Sequence, residues 1–368
     1  MEEKMISKNQ ITQFQLIFLL IHAQVGVGVI SMPFDVFLKA DGDSWISVLL
    51  TGIILQGMVF LIWALMVRFP STNLFGIIQA LFGKIFGNAI IILYCIYFIT
   101  IGSLVLAKFG YIIKVWMLPL TPTWLTLLLM TFTAYYIVKD NLQIMARFFV
   151  LTSVIIVMFI VLSAFALKDA NITYILPIGE KGLIPILKGI KPGIISFQGF
   201  ELLLLVYPFV QDNKTGVLKA ATIANVFVTL FYAFLVLTSL LFFSPKELKL
   251  IPEPVLYLIK SFSFKMIERP DLLFTSMWIV LVATTYINLL YGISLGFLQV
   301  MNAKEIKYFA LIAACICFLI AINFQGKYEI QFLSKVNNYF VYPLGFGLPV
   351  LLFGISILFK KKGEVESG

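Results

Sequence analysis

The stretches Gly26-Val27-Gly28-Val29-Ile30-Ser31-Met32-Pro33 and Ser196-Phe197-Gln198-Gly199-Phe200-Glu201 interrupt two otherwise apolar segments of the chain. Glycine and proline are the residues that weaken a helix most. A helix that crosses a bilayer must satisfy its own backbone polar groups, so an interruption is tolerated only where protein or a wet cavity surrounds it. Each stretch therefore predicts a helix that is broken near the middle of the membrane and lines a small polar chamber.

Long apolar intervals fill the rest of the chain. Hydrophobic residues make up 61% of the 368 positions and charged residues 12%, against about 25% charged residues in soluble domains. A membrane-spanning helix needs about 20 mainly apolar residues, and the intervals lack the strict alternation of barrel strands. Ten intervals between charged residues are long enough to span, namely 8–35, 43–68, 84–108, 114–139, 147–168, 191–212, 219–246, 271–304, 307–327 and 335–360.

This pattern predicts an all-α integral membrane protein of ten helices, with a single membrane domain over residues 1–368 and no soluble domain. An even number of spans places both termini on one side of the membrane. Lysine and arginine divide evenly between the two sides, but on the side of the termini they lie in short segments. Short basic segments are typical of cytoplasmic loops, so we expect a multi-pass protein with cytoplasmic termini.

Several classes of function lack their sequence signature. The cysteines Cys95, Cys315 and Cys317 fall inside predicted spans, which favours apolar packing over a disulfide or zinc site. We find no nucleophile–base set, metal-ligand spacing or phosphate loop, so we expect no enzyme activity, no metal and no cofactor. The net charge of +9 favours attraction to a lipid bilayer, and nothing indicates a nucleic-acid partner.

The two interrupted segments are the first and the sixth of ten, so each opens a half of five helices, about residues 9–167 and 184–360. Corresponding breaks in two halves are typical of inverted-repeat transporters, which bind substrate near the bilayer midplane. Free N–H groups at half-helix N-termini suit a carboxylate, so a small zwitterion such as an amino acid is the expected ligand. Alternatively, the small residues only allow close helix packing.

The interrupted stretches resemble motifs of a known superfamily. Residues 26–33 resemble the first-helix glycine motif of the amino acid–polyamine–organocation transporters, and Phe197-Gln198-Gly199-Phe200-Glu201 resembles their sixth-helix motif. Gln10-Ile11-Thr12 with Gln15, Arg68-Phe69-Pro70, and the Leu348-Pro349 helix with its lysine tail resemble the B subunits of spore germination receptors, also called spore permeases (GerAB type).

This resemblance implies a fold and a set of partners. The fold would be of the LeuT type, ten helices in two inverted repeats of five with helices 1 and 6 discontinuous. The protein would reside in the inner membrane of a bacterial cell or spore. It would assemble with a receptor A subunit and a C lipoprotein into a nutrient-sensing germinant receptor.

Three ionisable side chains are candidates for proton or coupling chemistry. Glu201 lies in an otherwise uncharged span, and a charge at the bilayer centre costs about 2.5 to 3.5 kcal/mol, so it should face the interior. It is either a protonatable group or an acid that hydrogen-bonds the backbone at the break. Lys108 either snorkels to the headgroups or pairs with Glu201 or a ligand carboxylate. His22 is either a packed imidazole or a proton relay.

Spans one, three, six and eight should surround the ligand in the resembled fold. Polar and small residues recur at helical spacing in spans three and eight, so each set can share one face. Serine and threonine in such helices also serve packing alone. The predicted ligand-binding residues are Gln24, Gly26, Val27, Gly28, Tyr97, Phe197, Gln198, Gly199, Phe200, Thr284, Asn288 and Tyr291.

The loop of residues 244–271 holds four prolines around an amphipathic run, Val255 to Ile267. It is either a helical lid over the outer vestibule or a docking surface for a partner subunit. Three functions remain open: a permease-like subunit of a germinant receptor that binds a small nutrient, a proton- or sodium-coupled amino acid transporter, and a membrane anchor without ligand.

Overall fold

The computed structural model describes residues 10–211, 214–262 and 269–360. Within these ranges the chain is helical and has no strand; its β-pairing is limited to an isolated parallel bridge between Ile11 and Val210. Helices dominate because backbone groups in a bilayer must be bonded within their own segment. The all-α prediction is confirmed.

The first half starts at a capping box. The Gln15 N–H donates to Thr12 Oγ1 at 3.2 Å, and the Thr12 N–H donates to Gln15 Oε1 at 2.9 Å. This reciprocal pair satisfies two donors at a helix start. The helices of this half are α1 (Gln13–Gln24), α2 (Gly28–Ala40), α3 (Ser44–Arg68), α4 (Leu74–Trp116), α5 (Thr123–Val138), α6 (Leu142–Thr152) and α7 (Val154–Ala164).

The second half has more short helical pieces than the first. A π-helical segment, Val341–Gly347, joins its last two helices. Pro343 lies inside that segment, and proline lacks the N–H that an α-helix would use there. The helices are α8 (Leu183–Ser196), α9 (Leu203–Val206), α10 (Lys214–Phe242), α11 (Pro245–Leu248), α12 (Pro254–Lys260), α13 (Pro270–Met301), α14 (Ile306–Asn323), α15 (Lys327–Phe340) and α16 (Leu348–Leu358).

By length and composition, seven segments in the described part of the chain could cross a membrane, or eight if one bent pair counts as a span. The predicted number of ten is therefore not confirmed. The α5 helix is short, at 16 residues. The first predicted span is divided between α1, of 12 residues, and α2, which continues into α3 through the 3₁₀ turn Asp41–Asp43.

Both predicted interruptions are present. Residues 25–27 separate α1 from α2, and residues 197–199 separate α8 from the short helical turns over Phe200–Phe209. The second pair is bent by 50° at its break. The α4 helix packs along α13, and α2 packs against α8, so the two breaks lie inside the bundle.

The loop after α10 is partly helical. Ser244 caps α11 in a capping box with Glu247, and these hydrogen bonds hold the pKa of the Glu247 carboxyl below its usual value. The apolar side chains Val255, Leu256 and Ile259 of α12 are buried against α13 and α2. Of the predicted amphipathic run, residues 263–267 lie outside the described residues.

Candidate functional site

A cavity of about 470 Å³ lies between the two broken helices. Its size is within the range of small-molecule sites. It extends from the breaks toward the end of the bundle where α2 ends and α8 begins, which we call the α12 side. Its walls come from α1, α2, α4, α8, α13 and α15, and its lining residues are Gln24, Gly26, Val27, Gly28, Ser31, Asp35, Leu38, Lys39, Ile101, Leu104, Val105, Lys108, Lys191, Pro192, Ile195, Ser196, Gln198, Thr285, Ser334 and Asn338.

The first break is packed tightly against α13. A Cβ atom at Gly26 would overlap the Thr285 side chain, so glycine permits this close approach. Thr285 Oγ1 lies 2.9 Å from the His22 carbonyl oxygen and 3.4 Å from that of Val25. At Gly28 a Cβ would lie 3.2 Å from the Ser196 Cβ. The first break is therefore held between α13 and the end of α8.

The second break depends on a left-handed glycine and a buried carboxylate. Gly199 has φ +119°, and a Cβ there would overlap the Ala23 carbonyl. The Gly199 N–H donates to Glu201 Oε2 at 3.0 Å, and the Tyr97 hydroxyl donates to Glu201 Oε1 at 2.8 Å. Glu201 is 1% exposed and therefore faces the protein interior, as expected from its position.

Beside Glu201, the Gln198 side chain at the cavity wall pairs with the Asn337 amide. Asn337 Nδ2 donates to Gln198 Oε1 at 2.9 Å, and Gln198 Nε2 lies 3.4 Å from Asn337 Oδ1 and 3.3 Å from the Tyr97 hydroxyl. Gln198 lines the cavity, whereas Glu201 and Tyr97 lie behind it. Tyr97, Gln198, Glu201 and Asn337 thus connect the second break to α4 and α15.

His22 lies on the opposite side of the first break. Its Nδ1 is 2.9 Å from Thr284 Oγ1, its Nε2 is 3.5 Å from Thr152 Oγ1, and its ring packs 5.4 Å from that of Phe149. The imidazole is fully buried and has a hydroxyl beside each nitrogen. His22 is therefore a packed imidazole, the first of the two alternatives given for it. Each ring nitrogen also lies beside a threonine hydroxyl, which can donate or accept a hydrogen bond.

The predicted ligand residues therefore separate by location. Gln24, Gly26, Val27, Gly28 and Gln198 line the cavity, as does Lys108. The others lie nearby without lining it, all of them buried except the partly buried Gly199, and their assignment to the ligand stays a prediction. This second set comprises Tyr97, Phe197, Gly199, Phe200, Thr284, Asn288 and Tyr291. Glu201, predicted for proton or coupling chemistry, is buried and does not line the cavity.

Lys108 does not hydrogen-bond Glu201; its charge instead acts on Asp35 of α2 and on Glu253 at the start of α12. It borders both the main cavity and a smaller one of about 120 Å³, which also includes Glu253 and Lys327. Burial raises the pKa of the Glu253 carboxyl above its usual value, and the Lys327 and Lys108 ammonium groups act against that rise.

Sequence reasoning missed several residues of this site. Tyr232 Oη lies 2.7 Å from the Gln24 carbonyl oxygen and 3.2 Å from that of Ser196, so this one hydroxyl touches both breaks. Asn337 stands near the start of an apolar interval, a polar signal that could have been used. The charge pattern places Asp35 at the end of the first apolar interval, yet Asp35 lies within α2 and lines the cavity.

The whole chain is similar to known germination proteins. Residues 10–329 match the model of the spore germination protein family. The chain is 29% identical to the spore germination protein GerQB of Bacillus cereus over 93% of this chain and 94% of the relative. It is 25% identical to the spore germination protein YndE of Bacillus subtilis (strain 168) over 97% and 98%.

The fold is similar to that of solved transporters. A closed structure of Mhp1, a nucleobase-cation-symport-1 family transporter with bromovinylhydantoin bound, superimposes with a TM-score of 0.72 at 12% identity, covering 96% of this chain and 80% of that one. MhsT in complex with L-phenylalanine gives 0.70 at 14% identity, covering 96% and 91%. The predicted LeuT-type fold is thereby confirmed. The match over residues 10–329 shows that this chain, a multi-pass membrane protein, belongs to the spore germination protein family of permeases.

Proposed function

We propose that this chain is the permease-like subunit of a spore nutrient germinant receptor, and that it binds a small nutrient, an amino acid, in the central cavity. The observation that carries the proposal is the cavity of about 470 Å³ between two broken helices. An amino acid fits its mixture of apolar wall and polar groups. The first N–H groups of a helix have no partner within it; at α2 the Val29 N–H donates to the Gly26 carbonyl at 3.3 Å, and the neighbouring N–H groups suit a carboxylate.

The proposed ligand acts by shifting a conformational equilibrium. A ligand can shift such an equilibrium only by its differential affinity for the two states. Gln198 borders the cavity and hydrogen-bonds Asn337 of α15, so a ligand that engages the Gln198 amide changes a contact between two helices. Partner subunits, a receptor A subunit and a C lipoprotein, would respond to that change from the surface of the bundle in the spore inner membrane.

Binding to the purified chain in lipid nanodiscs tests the site. Radiolabelled L-amino acids serve as probes, and we expect at least one to bind saturably. Gly26→Val places two methyl groups against Thr285 at the cavity wall, and we expect it to weaken binding at least tenfold. Gly57→Val is the matched control because a Cβ at Gly57 meets nothing within 4 Å.

A second variant guards against loss of folding in Gly26→Val. Ser31→Phe fills the cavity from α2, one helical turn after the first break, and should weaken binding while leaving the elution profile of the chain unchanged. In spores whose own copy is replaced, both variants should lose the response to nutrient while Gly57→Val keeps it. Unchanged binding in both would contradict the proposed site.

The second candidate function is a proton- or sodium-coupled amino acid transporter, and it is favoured by the transporter fold of Mhp1. Uptake into proteoliposomes that contain this chain alone separates the two functions. The receptor function predicts binding without concentrative uptake. Uptake against a gradient, driven by protons or sodium, would establish the transporter instead.

A further inference from the structure

The part of the central cavity on the α12 side carries unequal charge. Three ammonium groups line it, those of Lys39, Lys108 and Lys191, against one carboxylate, that of Asp35. Lys39 and Lys191 are exposed at the mouth, whereas Lys108 and Asp35 are partly buried further in. A cleft lined mainly by one sign of charge concentrates ligands of the opposite sign and accelerates their entry.

Lys108 is the least exposed of the three lysines that line the cavity. It borders both the central cavity and the smaller cavity beside Glu253. Ion pairs within 4.0 Å in the described ranges involve other residues, such as Lys181 with Asp41 and Lys249 with Asp41. The attraction of Lys108 to Asp35 and Glu253 therefore acts over longer distances and leaves its N–H donors for a closer carboxylate.

Acceptors stand deeper in the same cavity. Gln24 is 4% exposed, and its Oε1 has no hydrogen-bond partner among the described residues, while its Nε2 donates to the Leu20 carbonyl at 3.2 Å. An acceptor left unpaired in a buried position is costly, and an ammonium donor would satisfy it. The Asp35 carboxylate provides a second acceptor for the same kind of group.

We propose, building on the proposed nutrient site, that the ligand class is an acidic amino acid, which carries one ammonium and two carboxylates. Gln24 and Asp35 accept hydrogen bonds from the ligand's ammonium group. Lys108 donates to the ligand's side-chain carboxylate. Lys39 and Lys191 at the mouth attract the net negative charge. Ammonium–carboxylate contacts are charge-assisted and stronger than neutral hydrogen bonds, so the acidic side chain adds affinity that its amide counterpart lacks.

The test compares three probes on the full chain in nanodiscs: L-glutamate, its isostere L-glutamine, and the longer, cationic L-lysine. We expect glutamate to bind at least tenfold more tightly than glutamine at low salt, and lysine to bind least. The ratio of glutamate to glutamine affinity should fall as salt rises, because the two mouth lysines are exposed and screened.

Two substitutions on α4 assign the preference to one side chain. Lys108→Met should reduce the ratio of glutamate to glutamine affinity to near one, and Lys108→Arg should largely keep it. Lys114→Met is the matched control, since Lys114 lies on the same helix, is exposed and borders neither cavity. It should leave the ratio unchanged.

The outcomes separate the two proposals. If glutamine binds as tightly as glutamate and Gly26→Val abolishes both, the acidic class is wrong and the nutrient site stands. The same holds if Lys108→Met leaves the ratio unchanged. If no amino acid binds saturably to the folded chain, the nutrient site is wrong and the acidic class with it.

Discussion

At the first helix break, backbone carbonyls lie beside hydroxyl groups of distant helices, whereas at the second break a side chain of the same segment accepts from the backbone. The Thr285 and Tyr232 hydroxyls donate hydrogen bonds to backbone carbonyls within residues 22–25. The Glu201 side chain accepts a hydrogen bond from the Gly199 N–H, two residues away in sequence. Local sequence predicts both breaks, but it reveals a hydrogen-bond partner only for the Gly199 N–H, whose acceptor lies two residues away; the hydroxyl groups beside the first break come from distant helices.

Gly199→Ala should give the largest loss of stability. The obstacle at this position is the Ala23 carbonyl, which belongs to backbone and cannot rotate away. The φ of +119° also disfavours any residue with a Cβ. We expect a loss of about 4 kcal/mol, summing backbone strain and overpacking, measured by denaturant unfolding in detergent. Gly57→Ala should change stability by less than about 0.5 kcal/mol.

Glu201→Ala should give the second-largest loss of stability. It leaves the Tyr97 hydroxyl and the Gly199 N–H buried without their acceptor, at a cost of about 3 kcal/mol. Glu201→Gln retains one carbonyl acceptor and should lose about 1 kcal/mol. Equal losses in the two variants would contradict the view that Glu201 acts as the acceptor at the second break.

Gly26→Ala should cost less than Gly199→Ala, about 2 kcal/mol, because the obstacle at the first break is the Thr285 side chain. The double variant Gly26→Ala with Thr285→Ala makes room for the new methyl group. It should be more stable than Gly26→Ala alone, leaving only the loss of one hydroxyl. The unfolding free energies of all three variants measure this, and absence of rescue would show that backbone blocks the position.

Tyr232→Phe should have the smallest effect, about 1 kcal/mol, since it removes one hydroxyl and keeps the ring. Tyr232 Oη touches a carbonyl at each break, so Tyr232→Phe should also raise hydrogen exchange near both. Exchange that rises at one break alone would mean that the hydroxyl serves only that break.

Much of the fold followed from local composition. The glycines and proline of residues 26–33 and the glycine of residues 197–201 fixed both breaks, because these residues weaken a helix wherever it is placed. The number of spans did not follow. The length of an interval between charged residues does not show where a helix begins and ends. It did not reveal that α1 and α2 are separate short helices or that α5 is only 16 residues long.

The wall of the site was harder to predict than its breaks. Which face of a long apolar helix turns inward depends on packing with neighbours, so the local sequence shows that Asn337 is polar but does not show the partners of Asn337 or Tyr232. Asp35 marked the boundary of an interval, and a boundary charge is normally placed in the headgroups. Its position in the cavity depends on α2 following the break at an angle that composition does not encode.

The parallel bridge near the chain start has a mechanical consequence. The Ile11 N–H donates to the Phe209 carbonyl and the Gln211 N–H donates to the Ile11 carbonyl, both at 2.8 Å. These bonds clamp the lead-in to α1 onto the end of the other broken helix. Helix α1 and the helical turns over Phe200–Phe209 are therefore hydrogen-bonded to each other at their ends. We expect a change of angle at either break to move both segments together.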